Sequence, residues 1–203
     1  LLDLDLNNNL FTGTLPPALS RMPSLQFLRI HTNYFTSTIP PELVQLTQLQ
    51  YLELNENMLT GTIPHTLSQL PLLSLVMLQS NQLSGTLDNI FDPVTQTSLA
   101  NIQLNNNQLT GTLPDSLFML KSLNTLVLVS NCLHGTLPAT MCSREDSNLY
   151  SLVLDGLSSA SSCQHKLLYG LSEAYIIRNA VHGSIPLCVF SLPNLTTLHL
   201  SGN

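Results

Sequence analysis

The side chains best equipped for chemistry in this sequence are six histidines, four cysteines and a few carboxylates. His31, His65, His134, His165, His182 and His199 are scattered, and no HExxH pair sets two imidazoles on one helix face for a metal. Cys163 and His165 stand two apart, but no second close pair of ligands accompanies them, so a metal site is not expected. Asp3, Asp5, Glu53 and Asp155 fall on one face of the pattern described below, yet nothing assembles a nucleophile, a base and an orienter around them. GxSxG, a phosphate-cradling glycine loop and CxxC are absent from the sequence. The chemistry-bearing residues therefore point to a non-enzymatic protein with no catalytic residues, cofactor or metal.

The cysteines have a different use. Cys132, Cys142, Cys163 and Cys188 lie within one third of the chain, and four cysteines permit three pairings. Cys142 and Cys188 share a register seven residues before the next repeat, which favours Cys142 with Cys188 and Cys132 with Cys163. Two such bridges would staple an irregular stretch and imply an oxidising compartment. The tripeptide Asn194-Leu195-Thr196 is an N-glycosylation acceptor and points the same way.

Everything that positions these residues is a repeat. Coils begin at Leu1, Leu25, Leu49, Leu73, Leu99, Leu123, Leu149, Leu171 and Leu195, at spacings of 24, 24, 24, 26, 24, 26, 22 and 24 residues. A well-formed coil, "LQYLELNENMLTGTIPHTLSQLPL", places Leu49, Leu52 and Leu54 so that a short strand turns them to one side, because strand side chains alternate with period two. Asn9, Asn33, Asn57, Asn81, Asn107, Asn131, Asn179 and Asn203 follow the strands, and a side-chain amide can both donate to and accept from the backbone of an interior turn. Gly61 and its equivalents then permit a tight bend or close packing, and Pro64 and its equivalents suit the first position of a short outer helical turn. No single coil buries its own leucines, so the coils must stack, and their strands form a parallel sheet. Coil 7, "LYSLVLDGLSSASSCQHKLLYG", puts Leu157 at the asparagine position and lacks the Gly-x-Leu-Pro turn, so the column of amides should break there.

Composition excludes other classes. Charged residues make up 9% of the 203, far below a usual share of about 25%. Six Lys and Arg against twelve Asp and Glu leave a net charge of -6, which repels nucleic-acid phosphates and anionic membranes. No apolar run approaches the roughly 20 residues of a bilayer span, so membrane attachment would need a segment outside this sequence. The chain opens within a strand pattern and stops at Asn203, and it reads as a single domain, residues 1–203, of something longer.

The LxxLxLxxNxLxGxLP pattern over essentially all positions resembles the plant-type leucine-rich repeat, with gaps in coils 4, 6 and 7. The "SNCLHGTLP" and "LDGLSSASSC" segments also look like surface repeat proteins of photosynthetic algae. The resemblance implies an α/β repeat fold: a right-handed solenoid with a parallel β-sheet on its concave face and short helical turns on its convex face. It further implies the roles of receptor-kinase and receptor-like ectodomains, or of secreted inhibitors of wall-degrading enzymes such as polygalacturonase, outside the cell or at its surface.

The strand positions that alternate with the buried leucines form the candidate binding face. Phe27, Arg29 and His31 lie beside Tyr51, Glu53 and Asn55, then Leu75, Met77 and Gln79, then Asn101, Gln103 and Asn105. Phe27, Tyr51, Leu75 and Met77 make one apolar cluster, with Arg29 and Glu53 at its rim. Val127, Val129, Val153, Tyr175 and Ile177 make a second. A protein or peptide ligand lying across coils 2 to 5, anchored by Phe27, Tyr51 and Met77, is the expected partner. A structural, adhesive or assembly role is an alternative. So is ice binding through the Thr-x-Thr pairs from Thr12 and Thr14 to Thr110 and Thr112.

Overall fold

The computed structural model describes residues 1–142, 147–157, 163 and 180–203. Strands recur at the leucine triplets and again at the bends that follow them: β1 (Asp3–Asp5), β2 (Thr12–Thr14), β3 (Phe27–Arg29), β4 (Tyr34–Thr36), β5 (Tyr51–Glu53), β6 (Thr60–Thr62), β7 (Leu75–Met77) and β8 (Gln82–Gly85). They continue with β9 (Asn101–Gln103), β10 (Gln108–Gly111), β11 (Thr125–Val127), β12 (Cys132–Leu133), β13 (Gly135–Thr136), β14 (Ser151–Val153), β15 (Val181–His182) and β16 (Thr197–His199). One eight-stranded parallel sheet runs β1-β3-β5-β7-β9-β11-β14-β16. The remaining strands pair as short ladders on the flank: β12-β10-β8-β6, β2-β4 and β13-β15. Short helical turns close the outer side, such as Pro41–Gln45, His65–Gln69 and the α-turn Asp115–Phe118.

Between sheet and outer turns lies a continuous file of leucines. Leu28, Leu52, Val76, Ile102, Leu126 and Leu152 come from successive strands, and none is exposed. Leu43, Leu67 and Leu117 meet them from the outer turns. Each such side chain buries about 1.5–3 kcal/mol worth of apolar surface, and it can do so only because the coils on either side cover it.

The asparagines bind coil to coil. Asn107 is typical: its Oδ1 accepts the Leu83 N–H of the preceding coil at 2.9 Å. Its Nδ2 donates to Leu78 O at 3.0 Å and Leu104 O at 3.1 Å. Asn33, Asn57, Asn81 and Asn131 repeat the arrangement, on Phe11, Phe35, Leu59 and Leu109 N–H respectively. The prolines act one position earlier than the sequence suggests. Pro16, Pro40, Pro64, Pro114 and Pro186 are extended, with ψ between 118° and 143°, and cap the turn rather than open it. Their carbonyls accept the first turn N–H, as Pro64 O does from Leu67 at 3.0 Å. Proline's fixed φ serves the extended cap as well as the first helical residue.

Glycine at the bend answers two demands. Gly85 has φ of +84°, and a Cβ built there would lie 2.7 Å from the Thr62 methyl of the preceding coil. Gly61, Gly111 and Gly135 face Thr38, Thr86 and Thr112 in the same way. Thr38, Thr62, Thr86 and Thr112, the second threonines of their pairs, are thus packed along the solenoid axis against the next coil's glycine, which gives the repeated wording a packing reason. Where coil 4 departs from the pattern, Gln96 supplies what the repeat lacks. It is fully buried, donates to Leu67 O at 2.9 Å and accepts the Asp92 N–H at 3.0 Å. The Thr95 hydroxyl, followed by the Val94 N–H, holds the Asp92 carboxyl below its ordinary pKa.

The coil count differs from the periodicity. β14 pairs directly with β16, Ser151 opposite Thr197 and Val153 opposite His199. β15 pairs with β13, Gly135 opposite Val181. Residues 180–194 therefore lead into the strand that pairs with β14, and among the described residues the sheet has eight rungs where nine coil starts suggest nine. Leu171 lies 22 residues beyond Leu149, so leucine spacing alone counts a rung that the hydrogen-bonded register does not insert. The amide column is interrupted at Leu157, as its side chain requires, and the backbone compensates. Leu157 O accepts the Leu133 N–H at 2.8 Å, and the Leu157 N–H finds Asn203 Oδ1 at 2.8 Å. Asn179 lies outside the described residues.

Cys132 and Cys163 form a disulfide with Cα atoms 5.4 Å apart, beside this interruption. Cys188 is also disulfide-bonded. The Cys142 side chain lies outside the described part of the structure.

Candidate functional site

Strand register brings the outward residues into rows across the sheet. Phe27 stands opposite Tyr51, Tyr51 opposite Leu75 and Leu75 opposite Asn101. Arg29, Glu53, Met77 and Gln103 form the row beside it. Val127 continues that row next to Val153, with Val129 two residues beyond Val127. All of these side chains are half-buried. Tyr175 and Ile177 of the second apolar cluster lie outside the described residues.

The first cluster is pre-arranged. Phe27 and Tyr51 meet edge to face, with ring centroids 5.0 Å apart and planes at 82°, a geometry that the ring quadrupoles favour. The Arg29 guanidinium carbon lies 4.9 Å from the Phe27 ring centroid. Arg29 Nη1 donates to Asp3 Oδ2 at 2.8 Å, and its Nε approaches Glu53 Oε1 at 3.4 Å. His31 Nε2 faces Glu53 Oε2 at 3.9 Å, while its Nδ1 meets Thr32 Oγ1 at 3.1 Å. Thr32 in turn donates to Glu56 Oε2 at 3.0 Å. Such partly exposed ion pairs contribute at most about 1 kcal/mol each, and they hold the Arg29 guanidinium over the Phe27 ring. Arg29 is thus committed to carboxylates of its own chain.

Two further residues sequence reasoning left unweighted. Asn55, 6% exposed, and its neighbour Gln79 carry Oδ1 and Oε1 atoms that are shut from solvent and accept no hydrogen bond. An acceptor left in that state costs about 1–3 kcal/mol. Both sit at outward strand positions, and the alternation lists them beside His31 and Asn105 without singling them out. Further along the face, Gln103 donates to Asn101 at 3.2 Å. His199 approaches Asp155 at 3.3 Å.

A cleft of about 580 Å³ opens at the end of the strands in coils 1 to 3 and is lined by Asn9, Thr32, Tyr34 and Glu56 among others. Asn194 is exposed and donates to Ser147 O at 2.9 Å. Among the described residues no three His, Cys, Asp or Glu side chains are grouped to hold a metal. Nor is any helix among them long and apolar enough to cross a membrane.

The family described as Leucine Rich Repeat matches residues 1–22, 24–46, 48–70 and 98–120. No curated protein matches the sequence. Among solved structures, the fold is similar to the plant peptide hormone receptor RGFR1 in complex with RGF2, at TM-score 0.76 and 29% identity over 98% of this chain and 32% of that one. It is also similar to the Arabidopsis receptor kinase HAESA in complex with the peptide hormone IDA and the co-receptor SERK1 (TM-score 0.72, 27% identity, 98% of this chain, 29% of that one). A leucine-rich-repeat protein of Leptospira interrogans matches at TM-score 0.72 and 30% identity, over 98% of this chain and 43% of that one. The chain thus spans about a third of the length of the plant receptors it matches.

Proposed function

Because the chain belongs to the leucine-rich-repeat proteins and is of the plant type, we propose that its concave sheet receives an extended peptide or protein segment across coils 2 to 5. Phe27, Tyr51 and Met77 anchor that segment, and Leu75, Gln103, Val127 and Val129 extend the contact. The observation that carries this reading is the edge-to-face Phe27–Tyr51 pair, held by Arg29 in a half-buried apolar row. Aromatic centres with a charged rim are where binding energy concentrates, and rings already fixed lose little entropy on binding. Peptide-bearing receptors of the same fold support the choice of ligand class. The same relatives and the cystine bridges support a place outside the cell or at its surface, with the sheet acting in recognition and not in catalysis.

Peptides selected on this protein from a displayed library of random linear dodecapeptides supply the test. Replacing Phe27, Tyr51 and Met77 together by Ser is expected to weaken their binding about a hundredfold, the sum of two or three anchor contacts. Equal binding by the triple variant, checked for an unchanged far-ultraviolet spectrum, would remove the proposal.

A further inference from the structure

Asn55 and Gln79 stand side by side on the concave face, their strands joined by Glu56 N–H donating to Gln79 O at 2.9 Å. Their orphan oxygens are acceptors, so the group that satisfies them must donate hydrogen. Charge around them narrows the donor. Asp3, Asp5, Glu53 and Glu56 lie on or beside this part of the sheet, where Arg29 is the one Lys or Arg among the described residues and Asp3 and Glu53 already hold it. Glu53 is largely enclosed, with 16% of its side chain exposed, so its charge is screened less than one in open water. The whole chain carries -6. A carboxylate, sulfate or phosphate on a ligand would meet both repulsion and two more acceptors here.

We infer that the bound segment places a basic side chain, an ammonium or guanidinium rich in N–H donors, over coils 3 and 4, where Asn55 and Gln79 accept from it and Glu53 and Glu56 balance its charge. This rests on the reading of the concave face as a peptide receptor and adds the chemistry of the ligand's central residue. The amide torsions of Asn and Gln are broad and roughly two-fold. A half-turn of either carries its oxygen toward the surface without moving the strand. The cleft beside Glu56 receives the remainder of a long basic side chain.

The same dodecapeptide selection decides the matter. Selected sequences are expected to carry Arg or Lys at a constant distance from two apolar residues. Affinity of the synthesised peptides should fall about tenfold or more on Glu53→Gln, and again when the basic residue is replaced by citrulline or norleucine. The pair Asn55→Leu and Gln79→Met should bind more weakly while melting no lower than the native protein, since it removes the orphaned acceptors. Selected peptides that lack a basic residue, and that respond to Phe27→Ser and Tyr51→Ser but not to Glu53→Gln, would overturn the basic-residue assignment and leave peptide recognition standing. Failure to select any peptide, or indifference to both sets of substitutions, would overturn both.

Discussion

Asn107 shows how much one side chain does here, because its four polar contacts reach two coils and leave 3% of the residue exposed. Replacing it with Ala leaves the Leu83 N–H with no acceptor and several carbonyls one donor short, in a place water does not enter. Asn107→Ala should therefore lose about 3 kcal/mol, the upper end for buried groups left unpaired, measured by urea unfolding. An exposed asparagine such as Asn106, φ +56° and solvent-facing, should tolerate replacement by Gly at little cost. The ladder asparagines were legible in the sequence because the turn's demand for donors and acceptors recurs at a fixed place. Gln96 was not, since it meets a demand that arises once, inside an insertion. Asn55 and Gln79 were visible only as members of an outward row. Orphaning depends on which neighbours fold over them, and side-chain alternation carries no such information.

At the scale of strands and bends, packing between coils makes substitutions interact. Gly85→Ala puts a Cβ against Thr62 and also leaves an alanine at φ +84°. We expect a loss of about 2–3 kcal/mol, of which Thr62→Ser in the same chain restores the steric part and leaves about 1–2 kcal/mol of backbone cost. Ser37, at φ +70° where other coils have glycine, shows that the backbone cost alone is tolerable. The cystine between Cys132 and Cys163 closes a loop of sequence separation 31 beside the broken amide column. Changing both residues to Ser should cost about 2–4 kcal/mol, read as a lower denaturation midpoint. Strands, bends and outer turns followed directly from the residue pattern, with the proline caps displaced by one position. The number of rungs did not, because Leu149, Leu171 and Leu195 keep near-regular spacing while β14 bonds straight to β16. Spacing reports phase, whereas a rung exists only where a partner strand accepts it.

For the whole molecule, the stacked coils make a one-dimensional object in which each unit meets only its neighbours. The sheet face, its rows and the apolar cluster near Tyr51 were readable from alternation alone. The internal commitment of Arg29 to Asp3 and Glu53 was not, because it depends on rotamers that bridge coils 24 residues apart in sequence. The amide column has a sense as well as a position: the side chains of Asn81, Asn107 and Asn131 each serve their own coil and the one before it, not the one after. It resembles a staircase whose treads are all nailed to the step below, so an injury travels one way. With Asn107 removed, amide hydrogen exchange should quicken at Leu83, while Leu109, sheltered by Asn131, keeps its slow rate. Equal acceleration on both sides would mean that the coils loosen together and that the column has no direction to its wear.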